Sequence, residues 1–561
     1  MATATSDRDG SRRNPRGPSV LYGGATACLL LVILLVAMSA PRIAPPAVAE
    51  IAPQAVEQIK DAPEEQASTV GTGEGQGGDG LGDDGSGTTG DPKKPSDKPP
   101  RVSDDPEALD RSSVLHCVGN PPRQIEDPQS PPCIAIWEGD NGGATSPGVT
   151  ADEVTVAVGD PAGAGAYPQA LLDDFATFFN KRFQFYGRKL RLVSFPTAGQ
   201  GAKIEEMQRD ASRVADEIGA FAAASYGYEE GRESLYFDEL ARRKVVSVMQ
   251  VSFGLPSVDE AHMRRNAPYQ WNYTPSADIL LRDYGTFLCS TLAHKGAAYS
   301  GGAELFKLRK FGIIVDTTTK DQLPPVDIRP LQEVLRSCDS EADVVEWSAG
   351  EQASAMLVGL RNDGVTSILY TGATPTLSTT IMPAATGQGY QPEWLISNFG
   401  HQDDDDAATY FAPDQAQHVL GLQVYSKTLP NEDLPSTWAL REANPAEYGG
   451  YTNHWIYESL LVLASGIQMA GPRLTPETFQ AGLFKTRFPN PGAGAAPYYQ
   501  ATVGFPGVHS FVQDLAPVWL SSSDKSVATA RAPSYCYVFQ GKRFKAGTFP
   551  DALPFRQQPC R

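Results

Sequence analysis

The chain has 561 residues and a formal net charge of −19. That charge argues against a nucleic-acid partner, because phosphate binding needs clustered Lys and Arg. The length allows several domains, and the part beyond Ser113 suits two packed halves of common domain size.

Residues 1–19 form a basic region with Arg12, Arg13 and Arg16, read as cytoplasmic. Residues 20–40 are uncharged and largely apolar, with Leu29 to Val36 at the centre, and are long enough to cross a bilayer as a helix. Two readings stay open: an uncleaved anchor, or a signal peptide cut near Ala47-Val48-Ala49. The length of the apolar run favours the anchor. Either way the body is exported. Residues 41–112 are acidic and rich in Gly and Pro, and hold few large apolar side chains. Such a segment cannot offset its chain entropy by burial, so it is predicted to be a disordered spacer.

Of seven cysteines, Cys28 lies in the apolar run. The other six, in an exported chain, predict disulfides. Pairing neighbours along the chain gives the simplest set: Cys117–Cys133, Cys289–Cys338 and Cys536–Cys560. No CxxC occurs, so thiol–disulfide catalysis and a Cys-type zinc site lack local support.

The body alternates strand and helix. Val154 to Val158 is a short β-branched run, predicted as a buried strand. A turn follows from Gly159 to Gly165. Tyr167 to Tyr186 carries Leu171, Leu172, Phe175, Phe178, Phe179 and Phe183 at helical spacing, with Gly187 as its stop. Strands are predicted at 189–195, 218–224 and 245–251, with helices at 204–217 and 229–243 between them. A second series starts after Trp271-Asn272-Tyr273-Thr274-Pro275. It has predicted helices at 277–294, 328–337, 352–362 and 377–387, and strands at 310–315, 344–347, 365–370 and 393–397. A strong helix at 452–470 and strands at 517–520 and 535–539 complete it. This alternation predicts an α/β fold of two doubly wound parallel-sheet lobes, with helices on both faces. The expected divisions are a looped leader over 113–151, lobe 1 over 152–272 and lobe 2 over 273–425. A return segment serving both lobes spans 426–520, and a C-terminal extension spans 521–561.

Several stretches resemble the type I periplasmic-binding proteins, and more narrowly their branched-chain amino-acid-binding relatives. Gly148-Val149-Thr150, followed by Val154-Thr155-Val156, looks like the family's opening strand. Asp174 to Asn180 and Tyr186-Gly187-Arg188-Lys189-Leu190 look like its first helix and the step into strand two. Asn272 to Ser276 resembles the crossover between lobes, Thr366 to Tyr370 a second-lobe strand, and His454 to Gly471 the long return helix. Cys117 to Gly143 resembles the disulfide-looped leader of actinobacterial, membrane-tethered relatives. The resemblance covers about 148–520. It implies hinge strands joining lobes that close on a small ligand, the substrate-binding role in an ABC-type importer, a permease partner and an extracytoplasmic location.

In open parallel sheets ligands sit beyond the C-terminal strand ends. The predicted ligand-binding residues there are Tyr167, Ser225, Tyr226, Ser252 and Phe253 in lobe 1, and Thr317, Thr371, Gly372 and Asn398 in lobe 2. In amino-acid-binding relatives, first-lobe hydroxyls take the carboxylate and a second-lobe acid takes the ammonium. Ser225 and Ser252 match the first role. At the acid's position this chain has Asn398, a departure from the amino-acid pattern.

The sequence has no GxxxxGK[ST], HExxH or GxSxG motif. No catalytic residue, cofactor or metal is expected. Asp403 to Asp406 reads as a solvated acidic loop, and Trp455 and Tyr457 read as core. The first functional reading is a solute receptor for a small polar compound such as an amino acid. The alternative is a ligand-free envelope interaction or sensor protein on the same scaffold. A secreted hydrolase on an α/β scaffold is a third class, without a nucleophile–base signature to support it.

Overall fold

The computed structural model describes residues 117–118, 123–124, 127, 129–160, 165–198, 203–225, 233–249, 258–321, 324–446, 449–488, 503–556 and 560. The basic, apolar and spacer segments expected over 1–112 lie outside the described residues, as do Tyr226, Ser252 and Phe253. Among the described residues, no helix is long and apolar enough to cross a membrane.

After a two-strand leader pair, β1 (Cys117–Val118) and β2 (Arg123–Gln124), the chain builds two sheets. The first contains β3 (Glu153–Asp160), β4 (Lys189–Pro196), β5 (Ala222–Ala224), β6 (Val246–Met249) and β7 (Gln270–Asn272). Their order is β4-β3-β5-β6-β7, all parallel. The second contains β8 (Phe311–Asp316), β9 (Ala342–Trp347), β10 (Ser367–Tyr370), β11 (Glu393–Ile396) and β12 (Val419–Gln423). These five are parallel in the order β9-β8-β10-β11-β12. β13 (Ala516–Ser521) and β14 (Ser534–Tyr537) extend this sheet as antiparallel strands beside β12. The same five-strand winding thus occurs twice, and the expected pair of doubly wound parallel-sheet lobes is present.

Alternation along the strands divides the core. Val156, Val158, Ala222, Ala224, Val246 and Val248 face one hydrophobic cluster, which also takes Phe311, Ile313, Leu369, Leu395 and Leu420 from the second sheet. The opposite faces have separate clusters. Ala157, Ala223 and Met249 pack with Phe195 and Tyr236, while Ile314, Ile368, Trp394 and Ile396 pack with Trp347. The halves are therefore joined by continuous apolar packing. The helix Tyr451–Ala470 belongs to the shared cluster, with Tyr457 stacked on Phe179 at a centroid distance of 5.8 Å.

The described chain passes between the sheets at Tyr273–Ser276, at 424–434 and at 503–515. The first and last passages run side by side. Asn272 N donates to His509 O (2.8 Å), Phe511 N to Asn272 O (2.9 Å) and Val512 N to Tyr273 O (3.0 Å). Arg543 staples the second passage to the last. Its guanidinium donates to the carbonyls of Val424 (2.6 Å) and Tyr425 (2.8 Å) and pairs with the buried Asp514 carboxylate at 2.6 Å.

Elements differ from expectation in a few places. The first helix is Gln169–Arg182 and ends where Phe183 turns extended (φ −113°, ψ 151°); Tyr186 and Gly187, at positive φ (57° and 84°), then turn the chain into β4. β12 was not predicted, because Gly421 breaks its apolar run. A Cβ there would lie 2.0 Å from Ile396 O on β11, so glycine is what lets these strands pair. The helices Pro435–Ala443 and Pro476–Lys485 were also not predicted. Cys289–Cys338 and Cys536–Cys560 are disulfides, with Cα separations of 5.9 and 4.6 Å. Cys133 is disulfide-bonded too; the side chain of Cys117 lies outside the described residues.

Candidate functional site

Strand order locates the candidate site. In each sheet the winding reverses between its first and third strands, β3 and β5 in one, β8 and β10 in the other. Helices leave in opposite directions there, which opens a crevice at the C-terminal strand ends.

The second sheet's end is a closed polar network. β8 finishes at Asp316, which is buried and accepts hydrogen bonds from Tyr370 Oη and Thr318 N (2.8 Å). Asp316 N donates to Thr371 Oγ1 at 3.2 Å. Gln402 Nε2 donates to the carbonyls of Tyr370 (3.0 Å) and Gly372 (2.9 Å). A Cβ on Gly372 would lie 2.1 Å from Asp316 Oδ2 and 2.2 Å from Tyr370 Oη, so the network closes only over glycine. Thr317 is buried, and its N–H donates to Trp347 O (2.9 Å). Asn398 Nδ2 donates to Asp403 Oδ1 at 3.3 Å. Thr317, Thr371, Gly372 and Asn398 are thus brought to one edge. Ser397, which the sequence reading passed over, is buried beside them, with its hydroxyl lacking a hydrogen-bond partner among the described residues. Its signal was its place as the polar residue after the apolar strand β11.

At the first sheet's end, residues 161–164, 226–232 and 250–257 lie outside the described residues. Asp160 Oδ1 accepts from Tyr167 N (2.9 Å). Tyr167 itself is buried, and its hydroxyl donates to Thr452 O (3.4 Å) on the return helix. Ser225 follows β5 in a left-handed conformation (φ 58°) and is partly exposed. No hydrogen bond joins the first-sheet residues Tyr167 and Ser225 to the second-sheet set among the described residues.

The reading of Asp403 to Asp406 as a solvated loop is corrected. Asp403 and Asp405 are buried. Asp403 Oδ2 accepts from Val424 N (2.9 Å), and Asp405 Oδ1 accepts from Tyr535 N (2.6 Å). These carboxylates tie the segment to β12 and β14. Burial pushes the Asp403 carboxyl up to about 6 and that of Asp404 up to about 7. The preceding His401 is buried at φ 60°, and burial holds its imidazole neutral, down to about 3. Its ring lies 5.0 Å from that of Trp455 and 6.0 Å from that of Tyr425. Tyr457 is core, as expected from the sequence. Trp455 differs: it is half-buried and reaches from the return helix to a residue following the second sheet's β11.

No protein-family model matches the sequence, and no curated protein matches it. Solved structures of similar outline include a leucine-binding protein from Thermotoga maritima, at 14% identity and TM-score 0.46, over 68% of this chain and 97% of that one. An ABC transporter substrate-binding protein from Sphaerobacter thermophilus has 12% identity and TM-score 0.48, over 72% of this chain and 100% of the other. A solute-binding protein from R. palustris in complex with 4-hydroxybenzoate has 12% identity and TM-score 0.48, over 71% and 98%.

Proposed function

We propose that this chain is an extracytoplasmic receptor that clamps a small polar solute, such as an amino acid or a related compound, between its two sheets. In this reading it is the substrate-binding component of an ABC-type importer, tethered to the membrane through residues 20–40, and catalyses no reaction. The observation that carries the reading is the repetition of one strand order in two sheets whose connecting passages hydrogen-bond side by side. Paired passages of this kind bend as a unit, and bending moves one strand edge towards the other. Closure expels water, and hydrogen bonds to the solute gain strength in the drier site.

The proposed wall on the second sheet is Thr317, Thr371, Gly372 and Asn398, with Ser397 as an added donor. Tyr167, Ser225, Tyr226, Ser252 and Phe253 make up the proposed facing wall. Asn398 favours a ligand group that needs no counter-charge, because its amide is neutral and already leans on Asp403.

The test is thermal unfolding of the exported body with amino acids, amides and small organic acids, each at saturation. A solute at a hundredfold excess over its Kd stabilises the native state by about 2.7 kcal/mol, which raises the midpoint by several degrees. The absence of a shift across the whole set would overturn the receptor reading. It would favour a ligand-free clamp, the reading supported by the internal use of Thr371 and Asn398 and by the apolar core shared between the halves.

A further inference from the structure

A crevice of about 630 Å³ opens beside the last passage between the sheets, away from the strand-edge residues described above. One wall is the helix Ala277–Phe287, which is fastened to the second sheet by the Tyr284 hydroxyl on Ile396 O (3.0 Å). The other wall is the end of the helix Pro476–Lys485, whose Phe479 packs on Trp271 of the first sheet. The volume lies within the usual range for small-molecule sites.

The lining has two chemical parts. Phe488 and Phe505 are buried with ring centroids 6.2 Å apart, and Phe484 lies partly buried at the same wall. Phe488 and Phe505 meet edge to face at 72°, and with Phe484 they give the crevice an apolar floor. Lys485, Arg487 and Lys545 stand exposed around it. In a chain of net charge −19, the lining carries three cations against one acid. The acid in the lining, Asp283, is buried, and that burial pushes its carboxyl up to about 7. An anion in the crevice is therefore met by one carboxyl held toward its neutral form, against three fixed positive charges.

We propose that this crevice is a second binding site, for a small aromatic carboxylate whose ring lies on the phenylalanine floor and whose charge meets Lys485, Arg487 and Lys545. The site shares no residue with the strand-edge set, so it stands or falls separately from the clamp reading.

The probe is 2-naphthoate, titrated calorimetrically into the full chain. One saturable site is expected, with affinity for 2-naphthylmethanol at least tenfold weaker. The double variant Lys485→Glu, Lys545→Glu is expected to weaken 2-naphthoate binding at least tenfold, and Ala546→Trp, which fills the crevice from an exposed position, to abolish it. All three positions are exposed, and an unchanged thermal midpoint confirms that the variants fold. Failure of 2-naphthoate to saturate, equal affinity for the neutral alcohol, or unaltered binding in both variants would each overturn the proposal.

Discussion

In the second sheet the ends of β8 and β10 are sealed by their own side chains, Asp316 with Tyr370 and Thr371, and Gln402 across the carbonyls of Tyr370 and Gly372. At the same place in the first sheet, Asp160 holds one backbone N–H of Tyr167, and Ser225 turns away from β5 with a positive φ. Among the described residues, the same winding thus carries different hydrogen bonds at the two edges. In the clamp reading, the second edge has its hydrogen bonds already made, which would lower the ordering cost of binding.

The largest effect should come from breaking the joint that both halves share. Arg543→Ala leaves Asp514 buried without its cation and frees the carbonyls of Val424 and Tyr425. A loss of about 3–5 kcal/mol is expected in denaturant unfolding. A loss below about 1 kcal/mol would show that the passages hold together without this staple.

An acid titration separates the return helix from the sheets. His454 is buried with Glu458 Oε1 3.4 Å from its Nε2 and the Tyr457 ring stacked on it, and burial lowers its pKa to about 4. Above its ordinary pKa near 6.5 the imidazole is neutral in both folded and unfolded chains. Between about pH 6.5 and 4 the unfolded chain takes up a proton that the folded chain refuses, so stability falls as pH falls. The buried Asp403, with its raised pKa, acts in the opposite direction over part of this range, so the comparison is with His454→Phe at each pH. Between pH 7.5 and 4.5 the parent should lose up to about 3 kcal/mol more than the variant. Parallel curves would contradict a buried neutral imidazole.

The contrast between the edges itself is tested by smaller changes. Gly372→Ala forces a methyl into the Asp316–Tyr370 contact and should cost about 1–3 kcal/mol. Tyr370→Phe removes a donor from the buried Asp316 and should cost a similar about 1–3 kcal/mol. Ser225→Ala on the first edge should stay within about 0.5 kcal/mol of the parent in the absence of ligand. Equal costs at Tyr370 and Ser225, read by chemical denaturation, would erase the difference between the edges.

Much of the fold was legible in the sequence because its signals are local. The β-branched run at Val154 to Val158 reads as a buried strand from its own composition, and the spacing from Leu171 to Phe179 reads as a helix from one face. What was missed depends on partners far along the chain. β12 is a strand because Gly421 lets it approach Ile396, which no window around Gly421 reveals. Asp403 and Asp405 read as solvated because their partners, Val424 N and Tyr535 N, stand 21 and 130 residues away. The site was legible only as positions. Strand order put Thr317, Thr371 and Asn398 at one edge, but the sequence did not reveal that Thr371 and Asn398 are engaged with their own half, nor that Tyr167 is covered by the return helix.

A clamp requires the halves to move relative to one another when a solute binds. Spin labels at the exposed positions Gln208, on the first half, and Ala355, on the second, measure that motion by pulsed electron resonance with a stabilising solute present and absent. A clamp predicts a shorter and narrower distance distribution on saturation. An unchanged distribution with a solute that raises the thermal midpoint would contradict closure.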